Sequence, residues 1–298
     1  MSTKRLTDQD DWLSNAQSGM SRRQFLAGVG VTGAGLAGFA IAANPVAGEV
    51  ITTPTDGLTV ADGKVSVGGF QVPIYEARPA VAGRYPVVLV LPEAWGMHEH
   101  IKDVVRRFAK EGFFAVTFEP YVREGGTMQL PDQQAVVKVV NSVPDAQVMG
   151  DLDAILAYAK QQPAANSDRI GVTGFCRGGL YPLLFAAHNP DVKAAVPWYG
   201  PIKPGLTPGI RDVGPLDVAA KITAPVLGLY GEADQGIPVA DVKEMEAALK
   251  AAGKTAEFIF YPGAPHAFNA DYRQSYRADA AKDAWVRCVA WFNKYLKG

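Results

Sequence analysis

One thiol, one imidazole and one carboxylate stand where they could together make a nucleophile. Cys176 lies in Gly174-Phe175-Cys176-Arg177-Gly178-Gly179, directly after the run Arg169-Ile170-Gly171-Val172-Thr173. A strand that enters a sharp turn puts one side chain at its tip, and small flanking residues are needed because the turn's backbone is strained. A free thiol with a pKa of about 8.5 is only a few per cent thiolate at neutral pH, so a base must stand beside it. His266, in Pro265-His266, is the one of the four histidines on a loop after a late strand. Asp234, closing Gly231-Glu232-Ala233-Asp234, would fix its tautomer and stabilise the imidazolium. Each also has a plainer use: a buried structural cysteine, a cap for the helix that Pro238 opens, a loop histidine. The oxyanion of an acyl transfer would need two backbone N–H groups. Arg177, next after the nucleophile, supplies one, and Ala94 in Leu91-Pro92-Glu93-Ala94-Trp95-Gly96 is the expected second.

The elements that must position these groups alternate. Val65 to Pro79 reads as a short hairpin about Gly68-Gly69, and Pro86 to Leu91 as a strand apolar on both faces. Ile101, Val104, Val105, Phe108 and Ala109 share one helical face that ends at Gly112. Strands are then expected over 113–118, 170–175, 194–198, 226–230 and 257–261. Helices are expected over 151–161, 180–188, 239–252 and 279–296. This alternation predicts one α/β domain over 48–298 with a mainly parallel sheet covered on both faces. Ligands of such sheets bind beyond the carboxyl ends of strands. Glu93, Tyr121, Cys176, Tyr199, Asp234 and His266 all fall at such ends. With the order nucleophile, acid, histidine, the pattern is that of an α/β-hydrolase.

The remaining candidates read more plainly. A net charge of −1 gives no electrostatic case for nucleic acid or an anionic membrane. Two cysteines make no disulfide framework. Cys288 shares a helical face with Trp285, Val289 and Phe292, which suits a buried inert thiol. His98 and His100 lack a third ligand of convincing spacing and are expected at a pocket rim or helix start, with no metal. His188 is expected to end a helix, where a cation suits the dipole.

The first 47 residues read as a leader. Ser21-Arg22-Arg23-Gln24-Phe25-Leu26 is a twin-arginine pattern, followed by an apolar stretch to Ala43 and small residues suited to cleavage. Five glycines between Phe25 and Ala43 make a weak membrane helix, so cleavage is expected rather than an uncleaved anchor. Gly28-Val29-Gly30-Val31-Thr32-Gly33 matches a dinucleotide fingerprint, but no strand precedes it, so it is set aside. The expectation is export by the twin-arginine machinery to the periplasm, already folded, without stable membrane insertion afterwards.

Four segments together carry a family resemblance that covers essentially the whole mature chain. They are Pro92-Glu93-Ala94-Trp95-Gly96, the cysteine elbow, Gly231-Glu232-Ala233-Asp234 and Gly263-Ala264-Pro265-His266-Ala267-Phe268. They resemble the dienelactone hydrolase family, which implies hydrolysis of an enol-lactone such as carboxymethylenebutenolide, or of an ester, without metal or cofactor. The resemblance implies that Glu93 is a switch that holds the resting thiol away from the histidine. It also implies that Arg123 binds a substrate carboxylate, that Tyr121 is a pocket residue, and that Trp198 and Tyr199 line the site. Where the family has a second carboxylate-binding arginine, this chain has Ala270, with Arg273 three residues further on.

Overall fold

The computed structural model describes residues 50–298. The twin-arginine pattern and the apolar stretch after it lie outside the described residues. One sheet of eight strands runs in the order β1-β2-β4-β3-β5-β6-β7-β8. β1 (Leu58–Val67) and β2 (Phe70–Pro79) form the hairpin, turning at Gly68-Gly69, and β2 pairs antiparallel with β4. β3 (Tyr85–Leu91), β4 (Phe114–Phe118), β5 (Ala165–Phe175), β6 (Val192–Trp198), β7 (Val226–Gly231) and β8 (Ala256–Tyr261) are mutually parallel. The central strands are buried along almost their whole length, as a sheet covered on both faces requires.

Six longer helices flank the sheet: α1 (Glu99–Lys110), α2 (Gln133–Ser142), α3 (Asp145–Lys160), α4 (Tyr181–His188), α5 (Val239–Ala251) and α6 (Ala278–Phe292). On one face Phe108 of α1, Phe113 and Phe292 of α6 meet edge to face, with centroids 5.8 to 6.2 Å apart. Among the described residues no helix is long and apolar enough to cross a membrane.

Elements of the fold depart from expectation at β1, α2 and α3. β1 begins at Leu58, before the expected hairpin, because the edge strand is largely exposed and lacks a strong alternation. α2 was not expected, and it buries only Val136 and Val140. α3 starts at Asp145 rather than Asp151, with an acid in its first turn where the helix dipole favours one. From β3 the chain crosses to β4 on one side and then to β5 on the other. That reversal makes the carboxyl ends of β3 and β5 a topological switch point, the place where open α/β sheets bind their ligands.

Candidate active site

β5 ends at Phe175, and Cys176 takes φ +56°, a left-handed conformation that few residues with a side chain adopt. The elbow closes only because its flanks are glycine. A Cβ on Gly174 would stand 2.2 Å from the Gly178 carbonyl oxygen, and one on Gly178 would stand 2.2 Å from the Pro92 oxygen. The turn is therefore pressed onto the loop that follows β3, which carries Glu93 and Ala94. Cys176–Leu180 is a short helical turn leading into α4. The Arg177 amide belongs to its first turn, where N–H groups have no intrahelical acceptor.

His266 meets this elbow from the loop after β8. Its Nδ1 donates to Asp234 Oδ2 at 2.7 Å, with both side chains 1% exposed. The other Asp234 oxygen accepts the Gly236 and Ile237 N–H groups at 2.9 and 3.1 Å. The carboxylate thus organises the turn before α5 and meets the imidazole, but it does not cap α5, whose N-cap is Pro238 with no side-chain cap bond. Burial alone would lower the His266 pKa. The charges of Asp234 and Cys176, with hydrogen bonds to both, outweigh it and raise the value to about 10. Tyr199, at φ +36°, sets its ring edge-on to the imidazole at 5.2 Å.

Glu93 lies at the end of β3 and is fully buried. Its Oε2 accepts from the Tyr272 hydroxyl, from Arg273 Nη2 at 3.2 Å, and faces His98 Nε2 at 3.3 Å. Burial would raise this carboxyl's pKa, but Arg273 and His98 hold it well below the usual range. Glu93 Oε1 has no hydrogen-bond partner among the described residues. The thiol is thus coupled to His266, while Glu93 is held by Arg273, Tyr272 and His98. Arg273 also donates through Nε to Tyr272 at 2.8 Å, and the Cys176 charge is among the causes that raise its pKa.

His98 and His100 sit at the start of α1, as expected, but both are buried. Their rings stack at 6.0 Å, and Tyr272 approaches each at 5.2 Å. His100 Nδ1 meets Asp271 at 2.9 Å, and Arg107 donates to the same carboxylate at 2.7 Å. Both contacts work against burial to hold Asp271 down at about 2. Among the described residues no group of three metal-ligating side chains gathers.

Tyr121 is buried near the thiol, and the Cys176 charge is among the causes, after burial, that push its phenol up. Glu119, which sequence reasoning passed over, fixes this side of the site. One of its oxygens accepts the Met97 N–H at 2.9 Å and the other the Tyr121 N–H at 3.1 Å. Its position just past β4 was the signal available.

Two placements need correction. Arg123 does not present a free guanidinium to a substrate. Both Nη atoms donate to Asp151, at 2.8 and 2.7 Å, and the ion stands over the Phe70 ring. The carboxylate of Asp151 is completely buried and needs that partner. Trp198 belongs to the core rather than the pocket wall. It is fully buried between Phe175 and Phe268, and its indole N–H donates to Thr173 at 3.1 Å. Tyr199, one residue beyond β6, packs against Phe175 and Phe268 as well, but also sets its ring against His266.

The chain is similar to known proteins. The model of the dienelactone hydrolase family matches residues 72–296. A protein of Methylorubrum extorquens with a provisional carboxymethylenebutenolidase name is 50% identical over 94% of this chain and 95% of its own. One of Escherichia coli K12 with the same provisional name is 43% identical over 87% of this chain and 95% of its own. Among solved structures, a provisionally named dienelactone hydrolase of Klebsiella pneumoniae superposes with a TM-score of 0.77 at 44% identity. That match covers 80% of this chain and 99% of the other.

Proposed function

The chain belongs to the dienelactone hydrolase family, and on that premise we propose that it cleaves a lactone or ester through an acyl-enzyme on Cys176. The observation that carries the reading is His266, bonded to Asp234 on one side and coupled to the strained Cys176 on the other. Cys176 Sγ gives its proton to His266 Nε2 and attacks the carbonyl carbon. The oxyanion accepts from the Ala94 and Arg177 amides. The C–O bond breaks, and His266 returns the proton to the leaving oxygen. Acylation removes the negative charge at Cys176, one of the causes that keep the His266 pKa high. His266 then becomes the better base that takes a proton from water, whose oxygen displaces the thiolate.

Glu93 acts in this proposal as a carboxylate that a substrate anion can displace. Ala270 stands where the family's second arginine is expected, and Arg123 is engaged by Asp151. Arg273 is then a buried cation that feels the Cys176 charge, and a substrate carboxylate must compete with Glu93 for it. The same facts favour a second reading, hydrolysis of neutral esters or thioesters, which need no such exchange. A panel of lactones, p-nitrophenyl esters and thioesters tests both against wild type and Cys176→Ala. Turnover of a carboxylate-bearing lactone above that of its methyl ester supports the first reading, and the reverse order supports the second. Full turnover by Cys176→Ala refutes both.

We also propose twin-arginine export, from Arg22-Arg23 and the apolar stretch behind them. Replacing both arginines with lysine should leave folded precursor in the cytoplasm. Periplasmic delivery of the double variant would contradict it.

A further inference from the structure

A second cluster of charge lies behind the elbow, and the reaction above does not use it. Asp145, first residue of α3, accepts at Oδ1 from Arg177 Nη2 at 2.8 Å and from the Tyr181 hydroxyl at 3.0 Å. Its Oδ2 accepts from Arg211 Nε at 3.1 Å. The two arginine side chains are 1% exposed and the carboxylate 11%. Two buried guanidinium ions therefore share one carboxylate, an arrangement whose desolvation cost only close pairing offsets.

Each member of the cluster belongs to a different part of the fold. Arg177 follows the nucleophile, and its guanidinium stacks over Tyr181, first residue of α4, at 5.3 Å. Arg211 belongs to the excursion between β6 and the short helix at Pro215. There it exchanges backbone hydrogen bonds with Thr207 and donates through Nη1 to the Pro204 carbonyl at 3.4 Å. The Asp145 N–H donates to the Ile210 carbonyl at 2.7 Å, so backbone and side chain of one residue both hold that excursion.

The elbow is close-packed through its backbone but has few side chains of its own to hold it. Cys176 is in a left-handed conformation, and Gly178 and Gly179 have no side chains to pack. Between Cys176 and Leu180, Arg177 is the residue with a long side chain, and its far end is pinned. We propose that Asp145 is a positioning residue of the oxyanion hole: by fixing the Arg177 side chain it fixes the direction of the Arg177 backbone N–H. This rests on the acyl-enzyme reading above. An oxyanion donor acts only if it is preorganised, and a displacement of about 1 Å at a reacting centre can cost about a hundredfold in rate.

Two reactions of the same thiol separate positioning from a structural role. Alkylation of Cys176 by iodoacetamide needs the thiolate but no oxyanion hole. Acylation by p-nitrophenyl acetate needs both. Arg177→Met keeps the backbone N–H and leaves Asp145 paired one to one with Arg211. It should slow acylation by about ten- to a hundredfold with alkylation within about twofold of wild type. Arg177→Lys, which retains a cation for Asp145, should recover part of the acylation rate. Asp145→Asn should show the same split and serves if Arg177→Met does not fold. Acylation unchanged, or acylation and alkylation falling together, in the folded variants would overturn the inference. Wild-type protein that is alkylated at Cys176 but never acylated there would instead refute the acyl-enzyme reading.

Discussion

The two cysteines of this chain are almost equally buried, Cys176 at 2% and Cys288 at 0% exposure, yet their surroundings make them opposites. Cys288 sits mid-helix in α6 against Trp198, and burial pushes its thiol pKa well above the ordinary value. Cys176 sits at a left-handed turn beside an imidazole whose protonated form is favoured by Asp234. Burial by itself makes a thiol inert. A nearby cation favours the thiolate, the form a nucleophile needs.

The largest effect expected from this contrast is at the turn itself. Cys176→Ala should lose ester or lactone turnover by about 10⁴-fold or more while keeping its fold, measured by steady-state hydrolysis and circular dichroism. Next comes the group that separates the environments. Asp234→Asn should lower kcat by about 10³- to 10⁴-fold, because the imidazole loses its orientation and its counter-charge. The same variant tests the pKa. A histidine raised from 6.5 to about 10 contributes stability that is fully present below about pH 6.5 and is lost as pH rises towards 10. The gap in Tm between wild type and Asp234→Asn should therefore be widest in mild acid and close on the alkaline side. A gap that widens with pH would mean that the imidazolium is not what Asp234 stabilises.

Smaller effects concern the cations. Arg273→Met should reduce kcat/KM on a carboxylate-bearing lactone by about ten- to a hundredfold relative to its methyl ester. That loss corresponds to one charge-assisted hydrogen bond of about 1.5–3 kcal/mol. An equal loss on acid and ester would exclude Arg273 from reading the carboxylate. Arg123→Met should leave that ratio unchanged and instead cost about 3 kcal/mol of stability in urea unfolding, since Asp151 is left buried without its partner. A change in the acid-to-ester ratio would return Arg123 to the pocket. Smallest of all, Cys288→Ala should keep wild-type kinetics and lose about 1 kcal/mol of stability, a typical cost for a small truncation in a core.

The contrast between the cysteines also shows what a sequence displays and what it hides. The elbow, the acid turn and the histidine loop were readable because each is a local pattern: glycines at a sharp turn, and a polar residue just past an apolar strand. The central strands were readable for the same reason, as continuous apolar runs. β1 and α2 were not, since an exposed edge strand and a helix with two buried valines carry little periodicity. The partners of Glu93 were hidden by distance along the chain, with Tyr272 and Arg273 about 180 residues away. For Arg123 the resemblance could not show its partner, because the carboxylate that holds it comes from α3. For Trp198 the resemblance could not show that its ring is buried in the core, a matter only the packed neighbours decide.

The central claim is a covalent intermediate on Cys176, and trapping it is the most direct test. Wild-type protein mixed with excess p-nitrophenyl acetate, quenched in acid within the burst and digested, can be mapped by mass spectrometry. The account predicts one acetyl group, held as a thioester on the peptide that contains Cys176. It should be absent from Cys176→Ala and lost from the wild-type peptide on treatment with neutral hydroxylamine. A burst of p-nitrophenol with the acetyl group on another residue, or full turnover by Cys176→Ala, would contradict it.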